Sequence, residues 1–424
     1  MKKYSIHALY VSLFALFIFG FQYPPLQDYP ALNYQGFVFN QIVFHQYDFG
    51  GFFHFHRYIP PNVISTVIIG FFDILIDPFL SGKIFLFLVA VGLYSGIIRY
   101  LKFHLNEDRT SFAAVAFFMT FNLHFLMAYL NFLTGIALAF HAIIFIRQQR
   151  YESNILALTI IILLIYLCHF GALAIFFLYF GFYFISEKSY RNLFRIGLAA
   201  IPAFILFIQY FLTRKIFEVP DNPWSRSILE ILYRKAIIVI SPLNPFHIFK
   251  SATDIPQFLI VADYIFAAIM FGSAFYILGS TTRKKNYSLE FWLAVFTFSI
   301  AFILPYNFGG VSPAGERVVI FSAMNLCILW YRERISIGFR RISLAACIIL
   351  GISVYSYDIT NEVAFNSKIT QNDIPNDSTV KSFTRLTSAN PFLHLHFYQD
   401  IQLKKPYPAF NVGLFDFPGS DTTW

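Results

Sequence analysis

Apolar runs of about twenty residues recur from one end of the chain to the other, and they leave few folds open. Each is long enough to cross roughly 30 Å of hydrocarbon as a helix. In lipid, every backbone N–H and C=O must be paired within its own segment, so runs of this kind are helices. The ten-residue alternating segments of a β-barrel are absent. Only 13% of the 424 residues are charged, about half the share of a soluble domain, so most of the chain does not face water. The expected fold is an all-α polytopic membrane bundle over residues 1–356, with about eleven transmembrane helices and outer-face interfacial helices. A small extracytoplasmic C-terminal segment, 357–424, completes it.

Charge sets the expected orientation. The net charge of +8 would point to nucleic acid in a soluble protein, but here the cations stand between apolar runs, where they meet anionic lipid and fix topology. No nucleic-acid partner is expected; membrane lipid is. Lys2 and Lys3 place the N-terminus in the cytoplasm, and the first run, lacking a small-x-small cleavage site after Phe21, reads as an uncleaved helix. Val63–Ile76 is apolar but short, fenced by Pro60-Pro61 and Asp77-Pro78. If it is re-entrant, every dense basic cluster falls on one side: Arg99, Lys102 and Arg109; Arg147 and Arg150; Lys188, Arg191 and Arg195; Arg283, Lys284 and Lys285; Arg332, Arg334, Arg340 and Arg341. The crossings that follow are Lys83–Ile98, Phe112–Ala128, Phe132–Ile146, Asn154–Leu167, a return helix after Gly171, Ile196–Leu212, Phe258–Leu278, Leu289–Leu304, Val318–Trp330 and Ile342–Tyr355. Two outer loops, 22–82 and 213–257, share their face with the C-terminal segment. Within the first, Gln22 to Arg57 mixes aromatics with Asn33, Gln35, Asn40 and Gln41, the composition of an amphipathic helix lying on the interface.

Six residues stand out as candidate site groups. Asp28 is the first acid in the chain, set among Pro24, Pro25 and Pro30 just past the first helix. It reads as a base or ligand at the outer mouth, or as a plain turn residue. Arg57, ahead of Pro60-Pro61, has the shape to hold a phosphate in bidentate fashion, or to snorkel at the interface. Glu316 and Arg317 follow the Gly309-Gly310 turn; ionisable groups at a membrane boundary are functional by default, although Glu also suits a helix N-terminus. Asn131 and His169 sit in tight outer turns, where helix-end hydrogen bonding is the commoner role. His45, His54 and His56 lack the Cys or carboxylate that would complete a zinc spacing. The three cysteines form no CxxC pair. No cofactor is expected.

The order of these parts resembles the GT-C superfamily of polytopic membrane glycosyltransferases. The resemblance rests on an early loop acid (Gln27-Asp28-Tyr29-Pro30), interfacial helices after it, a basic residue before a proline pair (Arg57 and Pro60-Pro61), and an alternating bundle. Tyr129 to Gly135 and Gly309 to Arg317 also resemble segments of bacterial GT-C-like membrane proteins. The resemblance implies inverting transfer of a sugar from a lipid-linked donor, a polyprenyl-phosphate sugar, to an acceptor at the outer face of a bacterial inner membrane. Asp28 would be catalytic. Arg57, Asn131, His169, Glu316 and Arg317 would bind substrate. The loop after the third crossing, Phe125 to Asn131, has no second acid, a departure that argues against a divalent metal. Two other readings stand beside this one: a transporter or flippase of a lipid-linked or anionic substrate, and a non-catalytic envelope-assembly protein.

Overall fold

The computed structural model describes residues 3–21, 24, 26, 28–44, 54–55, 58–148, 154–213, 272–285, 287–304, 314–332 and 415–416. These are helical almost throughout. The helices are α1 (Lys3–Phe19), α2 (Tyr29–Phe44), α3 (Ile64–Phe72), α4 (Pro78–Leu105), α5 (Ser111–Thr120), α6 (Leu123–Leu126), α7 (Leu130–Gln148), α8 (Ile155–Cys168), α9 (Phe170–Ser186), α10 (Tyr190–Thr213), a helical run α11 over 272–283, α12 (Leu289–Ile303) and α13 (Ala314–Arg332). The strands β1 (His54–Phe55) and β2 (Phe415–Asp416) form one antiparallel pair, so the chain near its end returns to the first long loop. Residues 342–355, the last expected crossing, lie outside the described residues, as does nearly all of 357–424.

Among the described residues three helices are long and apolar enough to cross a membrane: α4, α7 and α10. At 28 residues α4 is the longest of the described helices; it runs about 42 Å. Its start is fixed locally. Asp77 caps it, its Oδ1 accepting from Phe79 N at 2.9 Å and Leu80 N at 3.3 Å, with Pro78 as first helical residue. Asn106, in the left-handed region at φ 51°, ends it. α7 packs alongside α4, and α8, α9, α12 and α13 close the bundle around them. α10 buries only Ile196, Ala199, Ala200 and Ala203. Leu198, Phe204, Ile205, Ile208 and Phe211 face outward, a contiguous apolar face suited to lipid.

Two expectations are corrected. The polar groups of 29–44 do not form a wet face: eleven of the sixteen residues of α2 are buried, Asn33, Asn40 and Gln41 among them. Its polar groups serve the interior, Asn40 Nδ2 donating to the Gly70 carbonyl at 3.0 Å and Gln35 accepting from Thr66 Oγ1 at 3.0 Å. Glycine makes this crossing possible, because a Cβ on Gly36 would come within 2.4 Å of Ile69 Cγ2. Likewise 112–128 is not one helix. Asn122 accepts from Phe125 N at 3.1 Å and donates to the Met119 carbonyl at 2.6 Å. These local bonds replace the helical ladder and break the run into α5 and α6. The apolar stretch 63–76 forms only the short α3, about 13 Å over nine residues.

Candidate functional site

The turn between α6 and α7 gathers four of the six candidate residues at one end of the bundle. Asp28 stands at the start of α2, half-buried, its carbonyl accepting from Leu32 N at 3.0 Å and its N–H donating to the Met127 carbonyl at 3.3 Å. Two residues beyond Met127, the Tyr129 ring carries the Arg317 guanidinium 4.3 Å above its centroid, with Phe132 at 5.5 Å. Arg317 also touches His169 Nε2.

His169 ends α8 and caps α9, its Nδ1 accepting from Gly171 N at 2.8 Å. Both ring nitrogens thus face donors, a backbone N–H and a guanidinium. A neutral imidazole has a single lone-pair nitrogen, here Nδ1, which accepts from Gly171 N, so the ring links the α8–α9 turn to Arg317 through its Nε2 contact. α7 approaches this turn closely because residue 135 is glycine; a Cβ there would meet Ala172 Cβ at 2.7 Å and Cys168 Cβ at 3.1 Å. Asn131 is occupied too. Its Oδ1 accepts from Ser65 N at 2.9 Å and its Nδ2 donates to the Asn62 carbonyl at 2.8 Å, pinning the start of α3 to α7. Glu316 lies in the first turn of α13, with its side chain outside the described residues, and Arg57 lies outside them altogether.

Two clusters carry no sequence signal of their own. At the opposite end of α4, Glu290 of α12 accepts from His104 Nδ1 at 2.8 Å and from Arg332 at 2.6 and 3.0 Å. Arg332 also donates to the His104 carbonyl at 2.9 Å, and Arg147 donates to Tyr179 Oη at 2.9 Å. These bonds tie α4, α7, α9, α12 and α13 together. The second cluster lies beside the N-terminal turn of α4, where Tyr29 and Asn33 of α2 meet Asp73, Ser81 and Gly82. Residue spacing could not have found either, since partners such as His104 and Glu290 are 186 positions apart.

Among the described residues no group of three or more His, Cys, Asp or Glu side chains is placed to hold a metal ion. The arrangement at the α6–α7 turn offers instead a carboxylate able to accept a proton and an aromatic-backed guanidinium able to hold an anion. No family model, curated protein or solved structure matches the chain.

Proposed function

We propose that this chain is an integral-membrane glycosyltransferase of a bacterial inner membrane, crossing it about eleven times with a cytoplasmic N-terminus. It would transfer a sugar from a polyprenyl-phosphate donor to an acceptor hydroxyl at the outer face. The observation that carries this reading is the meeting of Asp28 and Arg317 on one short segment, through Met127 and Tyr129. In support, Arg147 and Arg332 lie at the other end of the bundle, next to His104 near the C-terminus of α4. That segregation agrees with a cytoplasmic basic face and an outer site.

In the proposed reaction Asp28 takes the acceptor's hydroxyl proton as the new C–O bond forms at the anomeric carbon. The bond from that carbon to the phosphate oxygen breaks, and polyprenyl phosphate leaves with its charge held by Arg317. Arg57 and Glu316 remain proposed donor contacts. His169 and Asn131 hold the frame.

The test uses purified full-length protein in nanodiscs with a polyprenyl-phosphate [14C]sugar and native membrane acceptor. Asp28→Asn should slow transfer by about 10²–10⁴-fold while expression and thermal stability hold. A full transfer rate in that variant refutes the assignment. Donor flux across liposomes without covalent product would identify a flippase instead.

A further inference from the structure

The cluster beside the first turn of α4 is built from oxygen. Asn33 is fully buried, and neither its Oδ1 nor its Nδ2 has a hydrogen-bond partner among the described residues. Both carboxylate oxygens of Asp73, in the turn between α3 and α4, are likewise shut off from solvent and unpartnered. The Ser81 hydroxyl is buried beside that carboxylate, but it donates to the Asp77 carbonyl at 3.1 Å, which leaves its lone pairs available. The Tyr29 hydroxyl is buried in the same place; burial first, and then the charge on Asp73, push the phenol well up, so it stays a neutral oxygen. Gly82 leaves room for the group, since a Cβ there would stand 2.4 Å from Asn33 Oδ1 and 2.6 Å from Tyr29 Oη.

A buried carboxylate must be protonated, paired or bound to a cation. Lys83, two residues after Ser81, turns its ammonium to the Phe21 carbonyl at 2.6 Å, and no ion pair to Asp73 is found among the described residues. A water molecule would satisfy hydrogen bonds but leave the charge unanswered. One formal negative charge among neutral oxygens matches a monovalent ion, whereas divalent sites recruit several carboxylates.

We propose that Tyr29, Asn33, Asp73 and Ser81 form a sodium site at the N-terminal end of α4, with the Asp73 carboxylate supplying the charge. The Asn33 amide oxygen and the Tyr29 and Ser81 hydroxyl oxygens are the neutral ligands. Ion binding then locks α2, the α3–α4 turn and α4 to one another. Protonating the Asp73 carboxylate would remove its charge, so protons compete with the ion. The proposal does not depend on the transferase reading, since a sodium site survives whether or not Asp28 is a base.

The experiment is 22Na+ binding to the purified full-length protein in nanodiscs, with choline as the replacement cation. Saturable one-site binding at pH 8 is expected, weakening as pH falls. Asp73→Asn, which keeps the shape, and Gly82→Ala, which drives a methyl into Asn33 and Tyr29, should each abolish it. Asp108→Asn, on a surface turn, should leave it intact. A folded wild-type protein with no saturable 22Na+ binding overturns the proposal, and so does undiminished binding in Asp73→Asn. Circular dichroism and size-exclusion profiles confirm that each variant is folded.

Discussion

Replacing Glu290 by alanine isolates the clamp at the C-terminal end of α4. The carboxylate receives three bonds, one from buried His104 and two from Arg332. Losing the first strands a buried imidazole N–H, at about 1–3 kcal/mol. The pair with Arg332 counts for less, because that side chain is one-third exposed and rehydrates; about 1 kcal/mol is reasonable after screening. Together with the lost packing, the change costs about 4 kcal/mol. With an unfolding entropy of about 0.9 kcal/mol/K for 424 residues, Tm falls by about 4 °C. Arg332→Ala alone should lower it by about 2 °C, and the double variant should fall short of the sum, because both changes break one contact. Thermal unfolding of the protein in a mild detergent, followed by tryptophan fluorescence, measures all three. A Glu290→Ala shift under 1 °C, or full additivity in the double variant, refutes the clamp.

Asn131→Ala should cost about 2–3 kcal/mol, because it removes the acceptor for Ser65 N–H and the donor to Asn62; the same unfolding assay reads it. Gly135→Ala should cost about 1–3 kcal/mol by forcing α7 away from the α8–α9 turn. It should also slow the proposed transfer by shifting His169 under Arg317, as donor-consumption rates would show. Stability measured without sodium should fall as pH rises from about 4 to about 7. Over that range the unfolded chain has lost the Asp73 proton that the folded chain still holds; Asp77 and Tyr29 are the titratable groups facing it. Sodium should offset the fall, and Asp73→Asn should remove this dependence from a pH series of melting curves.

The sequence reading succeeded where physics acts locally. Pro60-Pro61 and Asp77-Pro78 fence a short apolar stretch, and α3 is the nine-residue helix that results. The same Asp77-Pro78 pair also starts α4 five residues before the expected Lys83, since a capping Asp followed by Pro is a helix start as well as a stop. Reading failed where a polar residue is satisfied at long range. Asn33, Asn40 and Gln41 look like a wet helix face until Gly36 and Gly70 bring α2 and α3 into contact. Asn122 looks like one more residue in a crossing, yet its side chain ends α5. Asp28 and Arg317 were legible as isolated ionisable groups. That they share one turn was not, because nothing in 289 residues of separation records it.

α4 orders the buried polar groups along the bundle. Residues 84–98 of this helix carry no charge, an interval of about 22 Å. Lys83, at one edge, turns its ammonium back to the Phe21 carbonyl, and Arg99 and Lys102 begin the other edge. The buried polar groups fall at the two ends of this interval: Asn33, Asp73 and Ser81 beside its start, His104 and Glu290 beyond its finish. α7 runs parallel to α4, from the Tyr129 turn to Arg147, and α13 does the same from Arg317 to Arg332. Three helices therefore share one polarity, with a carboxylate and a backed guanidinium at the first end and a charge clamp at the second. At the second end Glu290 is held by three hydrogen bonds, one from His104 and two from Arg332. The first end is built differently: half-buried Asp28 and Arg317, the latter stacked on the Tyr129 ring, meet there across the α6–α7 turn.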